Sequence, residues 1–151
     1  MWALPGAAVV AGLSTLAIAM HGADRPLPEA YHWEGERLEA DFARQRAALK
    51  LGLSVTFEAA NGRCRVRLVN SAGPAALDVL LTHGTDAGLD RALKLTRAAP
   101  GEYVADCAPL PAGHWRISVD DPAGAWSMRD AIDGDLTHVE WRARDPGGAA
   151  P

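Results

Sequence analysis

Among the side chains whose types hold soft metals or move protons, five are candidates for a site: Cys64, His83, Cys107, His114 and Met128. Thiolate, imidazole and thioether are ligands that copper accepts, so the five form a candidate copper set. Their spacing argues against a preformed site. The chain has no Cys-x-x-Cys, no His-x-His and no Met-rich run. Two cysteines are too few for a zinc site built from cysteine alone. They are the right number for one disulfide in an oxidising compartment, with two buried free thiols as the alternative. His83 stands in Leu81-Thr82-His83-Gly84-Thr85-Asp86. Asp86 or Asp90 is placed to orient its imidazole, as a carboxylate does for a catalytic histidine. No nucleophile accompanies it, so the expectation is a loop cap in which polar side chains satisfy backbone groups at a strand end. Ser118 alternates outward on a strand and has no elbow motif. The residues thus predict a protein that is not an enzyme and has no resident cofactor beyond the copper alternative.

The elements that must position these residues are read from period-two alternation. In Gly101–Val119, Tyr103, Ala105 and Cys107 alternate with Val104 and Asp106. After Pro109-Leu110-Pro111-Ala112-Gly113, Trp115, Ile117 and Val119 alternate with Arg116, Ser118 and Asp120. This predicts two antiparallel strands around a Pro/Gly turn, sharing one buried face. Further strands are predicted at Leu53–Glu58, Arg63–Val69, Ala76–Thr82, Leu89–Thr96, Ala125–Arg129 and Leu136–Arg144. Asn61-Gly62 and Asp133-Gly134 supply turn signals. Arg63, Arg65 and Arg67 face outward, a stripe that fits a solvated face better than a docking site. The fold class that follows is all-β: an immunoglobulin-like antiparallel β-sandwich over residues 53–144. Cys64 and Cys107 would bridge its two sheets, closing a long loop. Residues 145–151 are Gly/Ala/Pro-rich and read as a frayed tail.

Trp2–Met20 carries no charge and is just long enough for a transmembrane helix. A secretory signal peptide fits less well, because no Lys or Arg precedes Asp24. A buried helix of a soluble protein is the third reading. Residues 21–52 form a linker and a short amphipathic helix, Glu36–Leu51, with an apolar stripe of Leu38, Phe42 and Leu49 and an ion pair Arg37–Asp41. Tyr31 and Trp33 suit either the interfacial aromatic belt or packing on the domain. The net charge of −4 offers no basic field for phosphates, which excludes nucleic acid as an expected partner.

The order of these features resembles the FixH family, also called CcoH. An N-terminal span is followed by Tyr31-His32-Trp33-Glu34-Gly35 and a charged helix ending at Gly52-Leu53. Then come Leu80-Leu81-Thr82-His83-Gly84-Thr85 with Asp90 downstream, and Gly101-Glu102-Tyr103 with Leu110-Pro111-Ala112-Gly113-His114-Trp115. The resemblance covers about residues 2–129. Its motif positions are Tyr31, Gly35, His83, Thr85, Asp90, Gly113 and Trp115, with Gly84 where the family has proline in a His-Pro-Thr segment. The resemblance implies a single-pass bacterial inner-membrane protein with a periplasmic C-terminal domain. It also implies cytochrome oxidase subunits as partners, through assembly or stability of a cbb(3)-type cytochrome c oxidase, with copper delivery as the alternative. It supplies no catalytic residues.

Overall fold

The computed structural model describes residues 28–70 and 73–147, with side chains from Gly35 onward. The expected span Trp2–Met20 and the last residues of the expected tail lie outside them. Among the described residues no helix is long and apolar enough to cross a membrane. Contacts divide the chain into a first unit, Met1–Gly35, and a second, Glu36–Pro151.

One α-helix, α1 (Pro28–Lys50), begins eight residues before the predicted Glu36. Proline suits a helix start, because the missing N–H is one the first turn leaves unpaired anyway. The helix ends on Gly52 at φ 62°. Gly52 N–H donates to Leu49 O at 2.9 Å and Leu53 N–H to Ala48 O at 3.1 Å. That pair of bonds is a Schellman closure, and its apolar contact is Leu53 on Ala48, both buried.

The apolar stripe of α1 is not the face that meets the domain. Leu38, Phe42 and Leu49 are 55%, 36% and 41% exposed. The face turned to the domain is instead Asp41, Arg44, Gln45, Ala47 and Ala48. Ala48 allows close approach, and Asp41 accepts from Arg129 at 3.0 Å. Asp41 also pairs with Arg44, and not with Arg37. Burial raises the Asp41 pKa, but hydrogen bonds from Arg44 and Arg129 outweigh it and hold the carboxyl below its ordinary value.

Eight strands follow: β1 (Ser54–Ala60), β2 (Arg63–Val69), β3 (Ala76–His83), β4 (Arg91–Ala99), β5 (Glu102–Asp106), β6 (Gly113–Asp120), β7 (Ser127–Gly134) and β8 (His138–Arg142). A 3-10 turn, Ala87–Leu89, precedes β4. All pairings are antiparallel, and the strands form one sheet in the order β7-β6-β3-β4-β5-β2-β1-β8. The sheet curls until its edges approach: Arg144 Nη2 lies 2.9 Å from Asp130 Oδ2, joining the chain after β8 to β7. Gln45 of α1 lines the same seam with Ser127 and Trp141.

Alternation explains the core. β2 reads exposed–buried along its whole length, with Cys64, Val66 and Leu68 inward. Two of the outward arginines are ion-paired with neighbouring strands: Arg63 with Asp106, and Arg65 with Glu58 and Glu102. Ala60 faces Arg63 across a two-residue loop, with Asn61 at φ 52° and Gly62 at φ 73°. Both central residues at positive φ is the geometry an Asn-Gly hairpin selects.

Two predicted turns do not make hairpins. β5 and β6 do not pair; β5 lies between β4 and β2, and β6 between β3 and β7. The connecting stretch after Asp106 carries Pro109 and Pro111, which have no N–H to offer a ladder, and Cys107 is held elsewhere. Asp133-Gly134 remains inside β7, opposite His114 and Gly113. The reversal comes later, where Asp135 accepts from the Thr137 N–H and hydroxyl. These bonds hold the exposed Asp135 carboxyl below its ordinary pKa. The chain then crosses to the far edge, where β8 pairs with β1.

Candidate functional site

The C-terminal end of β3 and the start of β6 are partners in register, with His83 opposite Trp115. That pairing assembles one corner from residues far apart in sequence. The Trp115 and His83 rings meet edge to face at 4.8 Å. The Trp115 indole N–H donates to Pro111 O at 2.9 Å. His83 Nδ1 accepts from the Asp86 N–H at 3.2 Å and the Thr85 N–H at 3.4 Å, with Thr85 Oγ1 also at 3.4 Å. An imidazole whose Nδ1 accepts carries its hydrogen on Nε2. Nε2 is turned to Gly113, where an added Cβ would lie only 2.5 Å away.

The carboxylates do not orient the ring. Asp90 Oδ1 accepts from the His83 backbone N–H at 2.8 Å, and Asp86 Oδ1 from Gly88 N–H at 2.8 Å. Asp86 touches the imidazole through its backbone alone. Of the two readings of His83, the carboxylate–imidazole pair does not form and the expected loop cap does: both aspartates tie down the loop 84–90, and the ring does the same. Gly84 N–H donates to His114 O at 2.7 Å, a bond that proline at this position could not make.

This corner unites five of the seven motif positions: His83, Thr85, Asp90, Gly113 and Trp115. Tyr31 and Gly35 lie on α1 in the first unit, and the Tyr31 side chain is outside the described residues. The corner also shows what sequence reasoning missed. Pro111 O is the acceptor for Trp115, and a proline carbonyl announces nothing in sequence. Gly113 is required by a close approach, not by a turn. Replacing it with alanine drives a methyl group into His83, and we expect Gly113→Ala to destabilise the domain by about 1–3 kcal/mol, as overpacking does. Urea denaturation of the variant checks this, and His83→Ala combined with it should recover part of the loss.

The five candidate copper ligands are not brought together. Cys64 and Cys107 form a disulfide, with Cα atoms 5.6 Å apart. His83 has one nitrogen engaged by backbone donors and the other against Gly113. His114 is outside the corner, paired with Asp133. Met128 is buried in the core. Among the described residues no three His, Cys, Asp or Glu side chains gather as a metal-holding group.

The disulfide lies within the sheet, which corrects its expected place between two sheets. Cys64 is opposite Ala105 on neighbouring β2 and β5, and Cys107 follows directly after β5. The Cys107 N–H donates to Gly62 O at 3.0 Å. Cys107 lines a hollow of about 300 Å³ with Asn61, Leu110 and Thr137.

The class defined by this geometry is a disulfide-tied antiparallel β-domain carrying one α-helix, with its one conspicuous histidine spent on loop architecture. The chain belongs to the FixH family, whose model matches residues 1–133. No curated protein and no solved structure gives a significant match.

Proposed function

We propose that this protein is a membrane-anchored, periplasmic FixH-like factor that assists assembly or stability of a cbb(3)-type cytochrome c oxidase by contact with its subunits. The observation that carries the reading is the extent of the family match. It runs from the uncharged N-terminus through the helix and into β7. Trp2–Met20 serves as a single inner-membrane span, and the domain beyond it acts as a scaffold of the immunoglobulin-like sandwich kind. In that scaffold β7-β6-β3-β4 is one wall and β5-β2-β1-β8 the other. The disulfide is consistent with an oxidising compartment. The use of His83 as a loop cap is consistent with binding in place of catalysis.

The test is copurification. Detergent-solubilised oxidase is recovered with tagged full-length protein and with a form lacking the first 25 residues. Recovery with the full-length protein and little with the truncated form is the expected result. Equal recovery by both sinks the reading.

A further inference from the structure

Two exposed surfaces of this chain have no cover among the described residues, and they match each other. The first is the outer face of α1. Leu38, Phe42 and Leu49 fall within about 40° of one another around the helix. Glu39, Arg46 and Lys50 flank them and are likewise exposed. Alternation of this kind normally marks a buried face. Here the helix meets its own domain through Asp41 and Ala48, so the stripe is turned away from that core.

The second surface is the outer face of the wall β4-β3-β6-β7. Leu80 is 47% exposed and is flanked in register by Ala92 and Ser118. Because its neighbours are small, it floors a hollow of about 470 Å³ that extends to Thr82 and Ala131 and is also lined by Arg129 and Asp130, whose charges are already paired with Asp41 and Arg144. One end of the hollow is acidic, at Asp120, with Asp78 just beyond the lining. Asp78 and Asp120 stand directly opposite each other on β3 and β6, where like charges repel. Lys94 on β4 lies beyond Asp78, and the Ser118 hydroxyl donates to Asp120 Oδ2. Asp120 Oδ1 is buried without a hydrogen-bond donor. The other end is basic, at Arg116 opposite Thr82.

We propose that two copies of this chain pair reciprocally, each laying the Leu38–Phe42–Leu49 face of its helix into the Leu80 hollow of the other. The charge order and the spacing both fit. From Asp78 to Thr82 the strand covers about 14 Å. On the helix, Glu39 lies about 10 Å from Arg46 and about 17 Å from Lys50. With Phe42 over Leu80, the cations of the last helical turns reach Asp78 and Asp120, and Glu39 reaches Arg116. The same patch pair used twice closes a two-fold dimer and leaves no open end. The pairing goes beyond the oxidase reading and does not depend on it.

The experiment uses full-length protein in detergent, without oxidase. Phe42→Cys and Leu80→Cys variants carrying different tags are mixed and treated with a short bis-maleimide, which ignores the native disulfide. The expected product is a covalent heterodimer, absent when Arg67→Cys on β2 replaces Leu80→Cys. In sedimentation, Leu80→Asp should raise the dimer Kd by about 30-fold or more. Arg46→Glu should weaken the dimer, and Asp78→Lys should restore it. All these positions are exposed, so far-UV circular dichroism should not change. A monomer at every concentration, equal crosslinking in the Arg67→Cys control, or capture of a different protein by Leu80→Cys in intact membranes overturns the proposal. Because no oxidase is present, failure here leaves the copurification result standing by itself.

Discussion

Trp115→Ala should cost the domain about 3–5 kcal/mol, the range for emptying a large buried aromatic site. Trp115 is only 2% exposed and sits between the core and the loop 84–90. Its loss removes three things together. The core loses a large apolar volume next to Ile117. Pro111 O loses its indole donor, which loosens the stretch between β5 and β6. His83 loses the ring that fixes its plane, so the N–H groups of Thr85 and Asp86 lose a well-placed acceptor. Trp115→Phe separates these effects. It retains an aromatic edge for His83 and gives up the indole donor, so it should cost clearly less than alanine. Urea denaturation followed by far-UV circular dichroism measures both. A loss below about 1 kcal/mol for Trp115→Ala would mean that the corner is an ornament on a core that holds itself.

Cleaving the disulfide should have an effect of similar size. Cys64 and Cys107 are 43 residues apart, and closing a loop of that length stabilises by about 4 kcal/mol in the chain-entropy model. The enclosed segment is the rest of β2 after Cys64, then β3, β4 and all of β5, so the bond ties the end of β5 back to the start of β2. The cleanest comparison is the same protein oxidised and reduced, because no side chain changes. The paired variant Cys64→Ala with Cys107→Ala should reproduce the reduced form. Cys64 is fully buried and Cys107 is not. A single Cys64→Ala change should therefore add a small cavity cost that Cys107→Ala does not. Thiol counting on the unreduced, denatured protein comes first: zero free thiols is the expected value, and two would remove the prediction altogether.

The corner around His83 also shows which parts of a site can be read in sequence. The loop-cap role was legible because a lone histidine after an apolar strand, with Thr85 and two aspartates nearby, has local backbone donors to satisfy. The choice of partners was not. Asp86 acts through its N–H and Asp90 through the His83 backbone, and neither distinction leaves a trace in residue type. The helix shows the opposite case. Its apolar stripe was legible, but what covers it was not, and the structure leaves Leu38, Phe42 and Leu49 outside the core. A three-residue stripe at helical spacing says that a face wants cover; it does not say whether the cover belongs to the same molecule.

Alternation established most of the strands and the direction of their side chains, because the pleat fixes a period of two wherever one face is buried, but it ended β7 at Arg129, where the strand runs on to Gly134. The Asn61-Gly62 hairpin was equally secure, since two adjacent positive-φ residues determine a two-residue turn. Order within the sheet was decided only by the tertiary structure. The separation of β5 from β6, the pairing of β8 with β1 and the placing of the disulfide inside one sheet depend on non-local pairing. Any inward-facing strand satisfies the same pattern whichever neighbour it takes, so pattern cannot choose among them. Packing chose through Trp115, Gly113 and His83, whose mutual fit exists only once β3 and β6 lie side by side.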